Sequence, residues 1–101
     1  MSTYQMDDGT IVKTENATQE WKEDKNWDGS NWISVATGSQ WNHERLYRSK
    51  KGRYWVEHTS QWQGSRDRAE WISNRSAVRW LLANDHEIPE ELQALVGEVE
   101  E

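Results

Sequence analysis

The stretch ERLYRSKKGRYWVEHT, residues 44–59, decides the architecture. Two strand-like runs flank the tripeptide Lys50-Lys51-Gly52. A three-residue hairpin loop puts its last residue in the left-handed region, which glycine enters without steric cost. Gly52 stands at that position. The loop therefore predicts one register: Ser49 opposite Arg53, Tyr47 opposite Trp55, Leu46 opposite Val56 and Arg45 opposite Glu57. Alternation along each strand sorts the side chains into two faces. One shows Leu46, Arg48, Tyr54 and Val56. The other shows Arg45, Tyr47, Trp55 and Glu57. This second face joins an aromatic cross-strand pair to an opposite-charge pair, each contributing ~0.2–1 kcal/mol. Side-chain chemistry thus supports the register that the turn selects.

The flanks read as further strands and then helices. TYQMDDGTIVKT, residues 3–14, alternates Tyr4 and Met6 with polar residues, turns at DDGT and resumes at Ile11 and Val12. That is a hairpin pattern. NATQEW, residues 16–21, predicts a short helix, with Asn16 as cap, Gln19 three residues on, and Ala17 and Trp21 on one face. NWISVATGSQW, residues 31–41, predicts a strand ended by Gly38 and Ser39. Ile33, Val35 and Thr37 point one way; Trp32, Ser34 and Ala36 point the other. RAEWIS, residues 68–73, predicts a further strand.

SNRSAVRWLLAND, residues 73–85, predicts a helix capped by Ser73 or Asn74, with Ala77, Val78, Leu81 and Leu82 as its apolar stripe. HEIPEELQALVGEVEE, residues 86–101, predicts a second helix. Pro89 suits its first turn, Glu90 and Glu91 suit the dipole, and Leu92, Leu95 and Val96 form its apolar face. Strands followed by helices predict an α+β domain, with a small antiparallel sheet of about four to six strands covered on one face by the C-terminal helices. The domain is expected to span residues 1–96, with 97–101 as an acidic tail.

Composition limits the core. The chain of 101 residues is 34% hydrophobic, below the ~45–50% of an ordinary domain, a count that includes glycine. Eight tryptophans and no phenylalanine shift the burden of burial onto indoles. Trp71 and Trp80 are the expected core residues. Trp27, Trp32, Trp41, Trp55 and Trp62 cannot all be buried under so few aliphatic side chains, and at least two are expected on an exposed patch. There is no cysteine, which excludes disulfides and thiolate metal sites. No apolar run approaches the ~20 residues that span a bilayer, and the first residues lack a secretory signal. A cytoplasmic protein without membrane contact is expected.

The net charge of −6 is unevenly spread. Residues 1–42 carry three Lys against seven acids, and residues 43–80 carry nine Lys or Arg against four. Residues 81–101 carry seven acids and no Lys or Arg. Either the acidic ends fold onto the basic middle, or the middle is a working face.

The tripeptide Ser-Gln-Trp occurs at residues 39–41 and 60–62, with Arg45 and Arg66 each four residues after the Trp. Antiparallel pairing brings Trp41 and Trp62 together at the open end of the hairpin, where the two segments form a candidate small-ligand pocket. His43, Glu44 and His58 meet at the same end, as a polar strand end rather than a metal or acid–base site. No nucleophile elbow and no phosphate loop is present. No enzyme activity, metal or cofactor is expected. The basic residues between 45 and 68, with Tyr54 and Trp55, meet the compositional test for nucleic-acid binding. A sequence pI near 5.0 weighs against it.

Leu46-Tyr47-Arg48, then Gly52-Arg53-Tyr54-Trp55, then the Trp80-Leu81 step resemble a group of small bacterial proteins without an assigned activity. The resemblance covers about residues 38–96 and leaves the N-terminal hairpin unaccounted for. It implies a setting in phages, plasmids or other mobile elements. The leading expectation is a non-enzymatic interaction protein, of accessory, inhibitory or anti-defence type, that docks a protein partner through a Trp- and Arg-rich sheet face. Its expected contact residues are Trp41, Arg45, Tyr47, Trp55, Glu57, Trp62 and Arg66, with Lys50, Lys51 and Arg53 at the turn. The alternatives are nucleic-acid binding by the basic hairpin and the ligand pocket between the two Ser-Gln-Trp segments.

Overall fold

A computed structural model describes residues 2–61 and 66–100. The chain runs β1 (Thr3–Gln5), β2 (Ile11–Lys13), a 3-10 turn (Thr14–Asn16), β3 (Gln19–Lys22), β4 (Lys25–Trp27), β5 (Trp32–Ser34), β6 (Asn42–Arg48), β7 (Tyr54–Ser60), β8 (Arg68–Ile72), α1 (Asn74–Ala83), a second 3-10 turn (Glu90–Leu92) and α2 (Gln93–Val99). Strands β3, β6, β7 and β8 make an antiparallel sheet in that order, while β1–β2 and β4–β5 form separate two-stranded sheets. The fold class is α+β, as expected.

The central hairpin forms in the register that its turn predicts. Arg45 pairs with Glu57, Leu46 with Val56 and Tyr47 with Trp55. Ser49 N–H donates to Arg53 O at 2.7 Å, and Gly52 takes a φ of 87°. One sheet face lies under the helices. There Leu46, Tyr54 and Val56 pack with Ala77, Val78, Leu81 and Leu92. Helix α1 starts where Ser73 Oγ accepts the Ser76 N–H at 3.0 Å, a cap that satisfies one orphan donor. The Tyr54 hydroxyl donates to Glu91, which also pairs with Arg48 at 2.6 Å, so both groups hold the start of the last helical segment on the sheet.

The second face is covered too, which the sequence reading did not anticipate. The β1–β2 hairpin lies across it and buries Met6 and Val12 against Tyr47 and Trp55. The rings of Tyr47 and Trp55 stack with centroids 4.4 Å apart, and Trp55 is 1% exposed. Tyr47, Trp55 and Glu57 are therefore interior residues, not an open working face. The physical reason is demand: two large rings side by side expose more apolar surface than a small domain leaves uncovered. Trp71 sits opposite Trp55 on this same face, with the Arg53 guanidinium 3.8 Å above its ring, rather than in the helix-side core.

Three local expectations change. Residues 19–22 form strand β3 instead of a helix. Pairing Trp21 with Leu46 extends the sheet and sets the Trp21 ring 6.0 Å from Tyr54. A helix there has only Ala17 and Trp21 to bury. The strand expected through Thr37 stops at Ser34, because Ser34 N–H donates to Ser39 O and Gly38 N–H returns to Ser34 O. Helix α2 runs through Val99, past the tail boundary expected at Gly97.

Candidate functional site

Residues 25–34 build the most exposed aromatic feature among the described residues. In KNWDGSNWIS, Asp28 and Gly29 initiate a turn. Asp28 Oδ1 accepts from Ser30 N–H at 2.8 Å and Asn31 N–H at 2.7 Å, and Gly29 takes a φ of 104°. The backbone bonds from Asn31 and Ser30 hold the Asp28 carboxyl below its usual range. The turn sets Trp27 directly opposite Trp32. Their rings meet edge to face with centroids 5.4 Å apart, and they are 56% and 58% exposed. The base of this hairpin is fixed to the helix layer. Buried Asn84, just after α1, accepts the Asp24 N–H at 2.9 Å and donates to Trp80 O at 2.8 Å.

A second feature lies at the open end of the β6–β7 hairpin. A polar cleft of about 500 Å³ is lined there by His43, His58, Thr59, Ser60, Arg66 and Arg68, among others. Carboxylates hold both imidazoles. His43 Nδ1 lies 2.8 Å from Glu23 Oε2, and Glu23 Oε1 accepts the Glu44 N–H at 2.6 Å. His58 Nδ1 lies 3.2 Å from Glu44 Oε2, and its Nε2 lies 3.0 Å from Glu70 Oε1. The Trp80 indole N–H donates to Glu44 at 3.0 Å. Burial pushes the Glu44 carboxyl up, but His58 and the indole outweigh it and hold the carboxyl low. Among the described residues no three His, Asp or Glu side chains converge as metal ligands.

This arrangement makes a pH prediction. The bond to Glu44, then that to Glu70, raises the His58 pKa against the opposing effects of burial and Arg68. A histidine with a raised folded pKa stabilises most below its unfolded value of ~6.5, and that contribution is lost as pH rises through the folded value. The urea midpoint should therefore fall from about pH 6.5 upward as His58 loses its proton. In His58→Gln this slope should be absent. An unchanged slope in the variant would show that His58 does not link folding to pH.

The structure separates most of the expected contact residues. Tyr47, Trp55 and Glu57 are buried. Arg45 faces Glu20, with Nη1 3.7 Å from Oε2. Arg53 is engaged by Trp71 and by Asp8 at 3.4 Å. Lys50 and Lys51 are exposed at the turn. Arg66 is exposed beside the polar cleft. Trp41 begins the β6 side of the open end, is 39% exposed, and accepts the Gln61 N–H through its carbonyl at 2.9 Å. Trp62 and the proposed Trp41–Trp62 pocket wall lie outside the described residues. The turn lysines and the Arg66–Arg68 group stand at opposite ends of seven-residue strands, ~20 Å apart. They do not form one basic stripe.

The sequence reading missed the Trp27–Trp32 pairing, although the Asp-Gly turn between two tryptophans is its signal. It placed Glu44, His43 and His58 together but not Glu23, the residue after β3, and Glu70 of β8. No family model, no curated protein and no solved structure matches the chain. Among the described residues no helix is long and apolar enough to cross a membrane.

Proposed function

We propose that this chain is a non-enzymatic binding module that docks a protein partner through the Trp27–Trp32 hairpin. The exposed edge-to-face indole pair on a pinned turn carries the reading. Folding leaves more than half of each ring in water, and covering such surface releases ~25 cal/mol per Å². Tryptophan is also the residue type most enriched at interface hot spots. The hairpin is short and tied at its base to Asn84, so little ordering entropy opposes docking.

Charge favours protein over nucleic acid at this surface. Between residues 23 and 34 the chain carries one Lys and three acids. A phosphate backbone approaching the indoles meets net like charge, whereas its binding depends on cations.

The test is affinity capture from the native host with nuclease present, followed by binding measurements on the recovered protein. Trp27→Ala and Trp32→Ala should each weaken binding by about 2 kcal/mol, roughly thirtyfold. Circular dichroism should show the fold retained. Capture that depends on nucleic acid, or binding that survives loss of both indoles, overturns the proposal.

A further inference from the structure

Strand β2 has an open edge. Among the described residues it pairs only with β1, Tyr4 opposite Val12. The bonds Met6 N–H to Thr10 O at 2.8 Å and Thr14 N–H to Ser2 O at 3.0 Å bracket that pairing. Hydrogen-bonded pairs alternate along an antiparallel ladder, so Thr10, Val12 and Thr14 turn their backbone groups toward β1. The N–H and C=O of Ile11 and Lys13 turn away. The Lys13 carbonyl opens the 3-10 turn Thr14–Asn16, which leaves the Ile11 N–H and C=O and the Lys13 N–H along the edge.

The side chains around this edge are mixed apolar and cationic. Ile11 is 55% exposed, which is unusual for an aliphatic residue in a chain with so few. Two recesses flank it, of about 260 and 280 Å³. Trp55 contributes to the first and Trp71 to the second, and Ile11, Ser49 and Lys50 line both. Lys13 and Lys51 complete the rim. None of Lys13, Lys50 and Lys51 makes an ion pair among the described residues. Three unpaired ammonium groups thus stand beside an unpaired strand edge, in a protein whose net charge is −6.

We propose that the edge of β2 receives an extended acidic segment of a protein partner, added as a further strand. The ligand's backbone bonds to the N–H and C=O of Ile11 and to the N–H of Lys13. Its alternate side chains divide by chemistry: apolar ones enter the recesses beside Ile11, and carboxylates meet Lys13, Lys50 and Lys51. Strand addition gains affinity from main-chain bonds and specificity from alternate side chains. Exposed edges are normally blunted, and lysines beside this one repel a second copy while attracting an acidic strand. Charge complementarity and the open backbone groups together select a peptide. A nucleic acid satisfies the lysines but sets its phosphates against the outward carbonyl of Ile11. This surface is built from elements other than the Trp27–Trp32 hairpin, so it stands or falls separately.

The probe is a short peptide alternating glutamate and valine, with two controls: the same peptide with proline in place of valine, and a single-stranded oligonucleotide. Binding is followed by amide chemical shifts in the intact protein. The glutamate–valine peptide should shift the Ile11 and Lys13 amides. Its affinity should drop at least about tenfold in Lys50→Glu/Lys51→Glu, whose changes lie on an exposed turn, and by a similar factor for the proline peptide, which lacks every second amide donor and cannot hold a regular strand. Trp27→Ala should leave this binding unchanged. Three outcomes overturn the proposal: no shift at Ile11 and Lys13, equal binding by the charge-reversed variant, or tighter binding of the oligonucleotide at this edge.

Discussion

Replacing Trp55 by alanine should destabilise the fold by about 3–5 kcal/mol, the cost of truncating a fully buried aromatic residue. The ring is 1% exposed, stacked on Tyr47 and met edge-on by Tyr4 at 6.1 Å. Its removal leaves a cavity between the sheet and the β1–β2 hairpin, where Met6 and Val12 also pack. Domains are stable by only ~5–15 kcal/mol, so much of that margin disappears. Trp27→Ala is the control, because its ring is mostly in water and its loss should cost no more than about 1 kcal/mol. Urea unfolding of the two variants measures the contrast. Had Trp55 been a surface contact, the two substitutions would have similar small effects on stability. Near-equal midpoints would mean that the N-terminal hairpin does not cover this face in solution.

That contrast marks where sequence reasoning reaches and where it stops. The β6–β7 register was legible because it depends on neighbours in the chain: Gly52 in a left-handed turn and the pairs that follow from it. The apolar stripe of α1 was legible because its period is local as well. What lies on top of a sheet face is not a local property. Leu46 with Tyr54, and Tyr47 with Trp55, look equally apolar in the sequence. Only the path of the first thirteen residues tells that both faces are covered. Residues 19–22 failed for a related reason. Gln-Glu-Trp-Lys holds one apolar residue, so no period can be measured, and pairing with β6 decides its state. Strand β4 was missed despite a turn signal, because Lys25 and Asn26 offer no apolar alternation. The candidate contact surface moved with these errors: Trp55, expected as a contact on the central hairpin, went inside, while Trp27 and Trp32, two of the five indoles from which an exposed patch was expected, came outside as a pair.

Glu57 gives the sharpest test of this rearranged face. The register sets it opposite Arg45, and an opposite-charge pair is the natural reading. The structure turns its carboxylate elsewhere. The Tyr4 hydroxyl donates to Oε2 at 2.5 Å and the Tyr47 hydroxyl to Oε1 at 3.3 Å, while Arg45 leans toward Glu20. Tyr4 belongs to β1, so Glu57 is a polar tie between the N-terminal hairpin and the sheet. Burial and this bond both push the Tyr4 hydroxyl pKa upward, keeping it a donor. Glu57→Ala leaves two phenolic hydroxyls without their acceptor, that of Tyr47 buried and that of Tyr4 half-buried, and bonds to a charged group are worth ~1.5–3 kcal/mol. The expected loss is about 3 kcal/mol, together with faster proteolysis ahead of residue 14 as the hairpin loosens. Arg45→Ala removes a half-exposed guanidinium loosely paired with Glu20 and should cost less than ~1 kcal/mol. An ion pair between Arg45 and Glu57 requires comparable losses from the two substitutions. The tyrosine tie requires a large loss from one and a small loss from the other, and Tyr4→Phe should then recover part of the Glu57→Ala defect by removing an orphaned hydroxyl.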